Sequence, residues 1–236
     1  MIVMVSCNRA ASINGIGVFI VILHALCRDY EGLIASLSDD NHASISLILN
    51  FQRRPIFVAG IFRFSIQMFG YKCGMRLGEA FAVTWEDVLF ERNQVKVTKQ
   101  IQYSQADKVW YFCNPKYESS RTIDVDPEFM ELLKLEKQKQ EQNREKYAEY
   151  YTALYVNGHC QINSAGDGKE IHPVAVRENG ELINSNNMQH TSRIIHYELD
   201  YPEFDFHSFR HTHATMLAEK NVPPRYLQQR LGHKDL

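Results

Sequence analysis

No CxxC pair occurs among the five cysteines of this 236-residue chain. Cys7, Cys27, Cys73, Cys113 and Cys160 are scattered and odd in number. That pattern argues against a disulfide framework or a zinc ribbon, and for a reducing, cytoplasmic setting. No charge of one sign dominates: 26 Lys and Arg face 28 Asp and Glu, a formal net charge of -2. The balance counts weakly against a nucleic-acid binder, which needs cations against phosphates. A DNA enzyme needs a basic face, however, not a basic total. No membrane-like stretch reaches the roughly 20 residues of a spanning helix. The one candidate, Gly15 to Cys27, reads as a buried helix, with a signal or anchor segment and a misread gene start as the alternatives. No internal repeat is present. The apolar fraction of 44% is enough for a real core, and the length suits one large or two small domains.

Residues 1–58 carry no recognisable chemistry. They read as a helix over about 16–37, a Ser38-Asp-Asp-Asn41 turn, and a second apolar-periodic stretch ending near Pro55. Residues 59–72 suit a buried helix leading into Gly74. Another helix starts at Leu77 and is closed by Trp85-Glu-Asp87. Gln94 to Tyr103 alternates apolar and polar residues at period two, as a strand does. Lys108 to Cys113 and Arg121 to Val125 read as two more strands, giving a three-stranded antiparallel meander with Lys116 in the turn before the third. Asp126-Pro127 opens a helix with an Asp cap and proline in its first turn. Its Lys/Gln/Glu run up to Lys146 is a solvated face. Residues 157–186 read as loop and hairpin. Helices are expected over Met188 to Leu199, Ser208 to Lys220, and from Pro223-Pro224 to Leu231.

The chemistry gathers in a few places. His207 and Arg210 lie three apart, on one face of a helix. Arg76 follows Gly74 at a helix start, where backbone N–H groups also favour an anion. Two guanidinium forks from separate parts of the chain can hold both non-bridging oxygens of one phosphodiester and oppose the charge of its transition state. Lys116 can protonate a leaving 5′ oxygen, His207 can accept the proton of an attacking hydroxyl, and His233 can donate to a phosphate oxygen. Glu79 buttresses Arg76. Each residue also has a plainer reading: Arg76 as a helix-start residue, Lys116 as a turn lysine, His211 and His213 as packed or hydrogen-bonded core histidines. His207 and His211, at i and i+4, have a metal-ligand spacing, so a metal-dependent hydrolase is one rival. No Glu or Cys completes a ligand set there, and Arg210 places a cation beside it.

Taken together, Gly74-Met-Arg76-Leu-Gly-Glu79 with Trp85-Glu-Asp87, Pro115-Lys116 with Ser120-Arg-Thr-Ile, His207-x-x-Arg210-His-Thr-His-Ala-Thr, and Leu231-Gly-His233 resemble the motifs of the tyrosine recombinase, or phage integrase, catalytic domain. The wording is similar to integrases of conjugative transposons and phages of Gram-positive bacteria. The resemblance implies a mixed α+β, mainly α, fold with a small three-stranded antiparallel sheet. It gives Arg76, Lys116, His207, Arg210 and His233 the catalytic roles, with Glu79 and His211 in support. It implies strand cleavage by a tyrosine through a 3′-phosphotyrosyl bond, without cofactor or metal. The partners it implies are double-stranded DNA, a tetramer on DNA in the full-length form, and an accessory excision protein, with no membrane. On this reading residues 1–58 are a poorly defined helical segment, a remnant of a core-binding domain, and 59–236 the catalytic domain. The family's tyrosine falls within a few helical turns after His233, and here only Lys234-Asp-Leu236 follow. Tyr226 precedes His233 and does not take that place. The expectation is therefore a fragment that does not itself cleave DNA, with a non-catalytic DNA-binding integrase as the alternative.

Overall fold

The computed structural model describes residues 58–183, 196–197 and 205–233, the side chains of 58–65 excepted. The expectations for residues 1–57, including the Gly15 to Cys27 run, lie outside the described residues. So does most of the Met188 to Leu199 helix, of which 196–197 are helical. Among the described residues no helix is long and apolar enough to cross a membrane.

Helix α1 (Val58–Cys73) leads into a short α2 (Leu77–Ala82). The Trp85–Asp87 segment is a separate 3-10 turn and not the end of α2. Val83 and Thr84 between them are extended, because Asp87 folds back to accept the Thr84 N–H at 3.0 Å and its hydroxyl at 2.8 Å. Lys99 pairs with the same carboxylate. Trp85 then donates through Nε1 to Gln140 at 2.8 Å, which ties the turn to the long helix α3 (Pro127–Tyr147). That helix begins as the sequence implies: Asp126 accepts the Phe129 N–H at 3.0 Å, with proline in the first turn.

The strands depart from the expected meander. Gln94 to Tyr103 is two strands, β2 (Gln94–Val97) and β3 (Gln100–Ser104). Alternation holds through Val95 and Val97, then slips: Gln100 and Ile101 are buried in succession, so the chain must turn between them and Val97. β3 pairs with β4 (Val109–Cys113) as a hairpin of its own, with Ile101 opposite Phe112 and Tyr103 opposite Trp110. β2 pairs instead with the short β1 (Val88–Leu89) and with β5 (Arg121–Asp124), forming a three-stranded antiparallel sheet in the order β1-β2-β5. Val95 stands opposite Ile123, and Val97 opposite Arg121. The loop-and-hairpin region after α3 holds a second three-stranded antiparallel sheet of β6 (Leu154–Val156), β7 (Ile162–Asn163) and β8 (Lys169–Ile171), with β6 in the middle.

Helices α4 (Phe206–Glu219) and α5 (Pro224–Leu231) close the domain. α4 packs on α1. A Cβ at Gly70 would lie 2.8 Å from Phe206 Cζ and 3.1 Å from Phe209 Cβ, so a side chain there would push the two helices apart. Phe69, Phe129, Met130, Leu133 and Phe209 fill the space beneath, with the Phe69 and Phe129 rings edge-on at 5.2 Å. Each such side chain contributes about 1.5–3 kcal/mol by leaving water. The architecture is mixed α+β and mainly α. Its core fixes the relation between three places: the α1–α2 loop, the start of α4 and the end of α5.

Candidate functional site

The site is built where those three places meet the start of β5. The α1–α2 loop turns at Gly74 with φ +65, a conformation that suits glycine. A Cβ there would also lie 2.7 Å from both His213 Cδ2 and Leu231 Cδ2. The turn brings Arg76 to the start of α2. Glu79, one helical turn on, is fully buried as a side chain. Its Oε2 accepts the Arg76 N–H at 2.9 Å and its Oε1 accepts Arg76 Nη1 at 2.9 Å. The anion-favouring backbone position read from the sequence is thus already filled by this chain's own carboxylate.

Glu79 has a second cation that sequence reasoning did not single out. Arg121, at the start of β5, donates from Nη2 to Glu79 Oε2 at 2.7 Å and from Nη1 to Oε1 at 3.2 Å. A signal for it existed. Arg121 shares a strand face with buried Ile123, and an arginine on an inward face needs a buried acid. Burial pushes the Glu79 carboxyl up, but the hydrogen bonds and charge of Arg121 and the bonds from Arg76 outweigh it and hold the group below its usual range.

Three arginines then meet the end of α5. Arg121 Nε donates to Arg230 O at 2.7 Å, Arg210 Nη2 to Leu231 O at 2.6 Å, and Arg76 Nη2 to Gly232 O at 2.9 Å. The last carbonyls of a helix lack intrahelical partners and carry its negative end, so guanidinium donors suit them. Arg210 also donates from Nη1 to Gly74 O at 2.6 Å. The residue is only 2% exposed, whereas its helix neighbour His207 is exposed. The pair expected on one helix face is therefore one exposed imidazole and one buried guanidinium. Burial and the nearby charge of Arg76 lower the Arg210 pKa to about 10, still cationic at neutral pH.

His233 follows Gly232 and is exposed. Partial burial, then the charges of Arg210, Arg76, His207 and Arg121, push its pKa down. His207 is lowered likewise, first by burial, then by His211, Arg210 and Arg76 against a smaller opposing pull from Asp205. Both imidazoles thus favour the neutral form at physiological pH. His207 and His211 stack edge to face at 4.6 Å. His211 is exposed, contrary to a core reading, whereas His213 does sit in the core. His213 Nδ1 donates to Tyr71 O at 2.8 Å and its Nε2 accepts from Arg230 Nε at 2.9 Å. Burial and Arg230 push its pKa down to about 4, so it is a neutral strut between α1, α4 and α5.

Lys116 lies in the Lys116–Glu118 turn between β4 and β5, the turn expected before the Arg121 strand. Tyr117 and Glu118 take left-handed φ values of 61° and 50° there. The Lys116 carbonyl accepts the Ser119 hydroxyl at 2.8 Å, and its exposed ammonium makes no ion pair among the described residues. The structure therefore brings Arg76, Glu79, His207, Arg210 and His233 together and leaves Lys116 on a neighbouring turn. An open groove of about 610 Å³ runs beside them, lined by Tyr117, Arg121, Tyr226, Arg230 and His233 among others. Among the described residues no group of three His, Cys, Asp or Glu side chains is placed to hold a metal ion.

The phage integrase family model matches residues 42–236 of this chain. The chain is 26% identical over 179 residues to a tyrosine recombinase XerC-like protein of Caldanaerobacter subterraneus subsp. tengcongensis, covering 72% of this chain and 42% of that protein. It is 27% identical over 172 residues to the prophage ps2 probable integrase of Lactococcus lactis, covering 69% and 39%. It is 28% identical over 172 residues to transposase A from transposon Tn554 of Staphylococcus aureus, covering 71% and 39%. The chain spans about four-tenths of the length of these relatives. Among solved structures, a Tn1549 transposon integrase in complex with transposon right end DNA superposes with a TM-score of 0.58 at 18% identity, over 84% of this chain and 58% of that one. At that identity the likeness is one of fold.

Proposed function

The chain belongs to the phage integrase family, and from that premise we propose that residues 59–236 are the catalytic domain of a site-specific DNA recombinase. One observation carries the reading: four arginines (Arg76, Arg121, Arg210 and Arg230) and two imidazoles held toward neutrality converge on one place with a single buried carboxylate. That concentration of positive charge, in a chain of net charge -2, suits one phosphodiester.

In the proposed reaction a tyrosine oxygen attacks the phosphorus. A tyrosyl O–P bond forms as the P–O5′ bond breaks. His207 takes the tyrosine proton, which its lowered pKa allows at neutral pH. Lys116 gives a proton to the departing 5′ oxygen, and Arg76, Arg210 and His233 donate to the non-bridging oxygens. Glu79 keeps Arg76 in place, and His211 supports the His207 ring. The covalent bond stores the energy of the cut, so ligation needs no cofactor. The partner is double-stranded DNA, engaged as a tetramer by the full-length form with an accessory excision protein, in the cytoplasm.

The Lys116 role is tested in a form carrying a tyrosine beyond His233. Lys116→Ala is expected to slow cleavage of an ordinary substrate by about a hundredfold or more. A 5′-thiol leaving group, which needs no proton, restores the rate. Absence of that rescue removes the general-acid role.

A further inference from the structure

We propose that Arg121 is a positioning residue of the phosphate site: by sharing Glu79 it leaves Arg76 available to phosphate, and it keeps His233 in place. The inference rests on the phosphate-site reading above. Nothing in the expected reaction calls on Arg121, yet its side chain is only 8% exposed and every donor nitrogen is engaged.

Charge gives the first part of the argument. Glu79 is buried between two guanidiniums, each of its oxygens accepting one bond from Arg76 and one from Arg121. With Arg121 present, Arg76, Arg121 and Arg210 against Glu79 leave a net of two positive charges. Without it, Arg76 and Glu79 form a closed neutral pair and only Arg210 remains in surplus. Partner sharing is strong in so desolvated a place, because Coulomb attraction there is several times that in water.

Geometry gives the second part. Arg121 Nε holds Arg230 O, the first of the three successive carbonyls that end α5, and Nη1 also holds Ser119 O at 3.1 Å. Ser119 in turn packs on Gly232, where an added Cβ would lie 2.8 Å from the serine Cβ. One guanidinium therefore links β5, the turn carrying Lys116, α2 through Glu79, and the α5 end from which His233 projects. Arg230, whose carbonyl it holds, donates to His213 and to Lys72 O, which extends the hold to the end of α1.

The test is a titration of the full chain with inorganic phosphate, followed at the His207 and His233 imidazole NMR signals. Wild type should show both signals moving together. Arg121→Gln should weaken phosphate about tenfold, and Arg121→Lys, which keeps the charge, by no more than about threefold. The double variant Arg121→Gln/Glu79→Gln restores the two-charge surplus and should recover most of the affinity. Wild-type affinity in Arg121→Gln overturns the proposal. So does a double variant no better than the single, which would leave Arg121 as a structural strut only. If Arg121→Gln does not fold, a folded Arg121→Lys with tenfold weaker binding overturns it equally. Failure of phosphate to move either signal in wild type sinks the phosphate-site reading itself, and the proposal with it.

Discussion

Arg210→Ala is expected to reduce strand cleavage about a hundredfold to a thousandfold in a form carrying the nucleophilic tyrosine, while leaving much of the DNA binding intact. Removing one preorganised donor from a developing oxyanion costs that much, whereas binding is spread over many phosphate contacts. The structure adds a second consequence. Arg210 is 2% exposed and holds the carbonyls of Gly74 and Leu231 at 2.6 Å each. Its removal strands both acceptors in the interior, a loss of about 3–5 kcal/mol of stability. The same two bonds join the loop before Arg76 to the end of α5, so the arrangement of Arg76 and His233 depends on them. Denaturation and cleavage measured on one preparation separate the two effects. Undiminished cleavage by a folded Arg210→Ala variant removes Arg210 from the site.

Glu79→Ala is the second large effect. Its carboxylate is the shared partner of Arg76 and Arg121, and deletion leaves two buried like charges facing each other. Breaking a buried pair on one side costs about 3–5 kcal/mol, here aggravated by the mutual repulsion of the guanidiniums. The pH dependence follows from the direction of the Glu79 shift. Its folded-state pKa lies below the ordinary value of 4.5, so the unfolded chain binds the proton more readily. The stability it provides is fully present above about pH 4.5 and is lost as pH falls through the lower folded-state value. Chemical denaturation of wild type between pH 6 and pH 3 should steepen in that window, and Glu79→Gln should flatten the slope. Equal slopes in the two proteins would contradict the assigned network.

Local signals carried much of the fold. The apolar stretch before Gly74, the Asp126-Pro127 start and the Pro224 to Leu231 helix all stand within a residue or so of their sequence-based bounds. Each has its stop or start chemistry written in neighbouring residues. The strand pairing was not legible because a period-two pattern says nothing of partners. Gln94 to Tyr103 looks continuous, and only the burial of both Gln100 and Ile101 shows the break that sends β3 to β4 and β2 to β5. Trp85-Glu-Asp87 looked like a helix end because its folding depends on Thr84 and Lys99, one of them twelve residues away.

The site was legible as a set of motifs and not as a network. Arg76, Glu79, His207, Arg210 and His233 stand in short recognisable phrases, and the structure gathers them. Arg121 stood inside such a phrase without a role, because its partners Glu79 and Arg230 O are 42 and 109 residues away. His213 resembled its neighbour His211 in sequence. Two helical positions separate an exposed ring against His207 from a buried one between Tyr71 O and Arg230.

The central claim, a tyrosine-mediated attack on one phosphodiester assisted by this cluster, is tested most directly by trapping the cut DNA. A form carrying the tyrosine is incubated in EDTA with a duplex nicked just 3′ of the cut, so that the short fragment bearing the new 5′ hydroxyl is lost and ligation cannot reverse the step. The account predicts a protein–DNA adduct joined through a 3′-phosphotyrosine, formed without divalent metal and lost on Arg210→Ala. Cleavage that needs a metal ion and leaves free DNA ends would contradict it and make the histidines metal ligands.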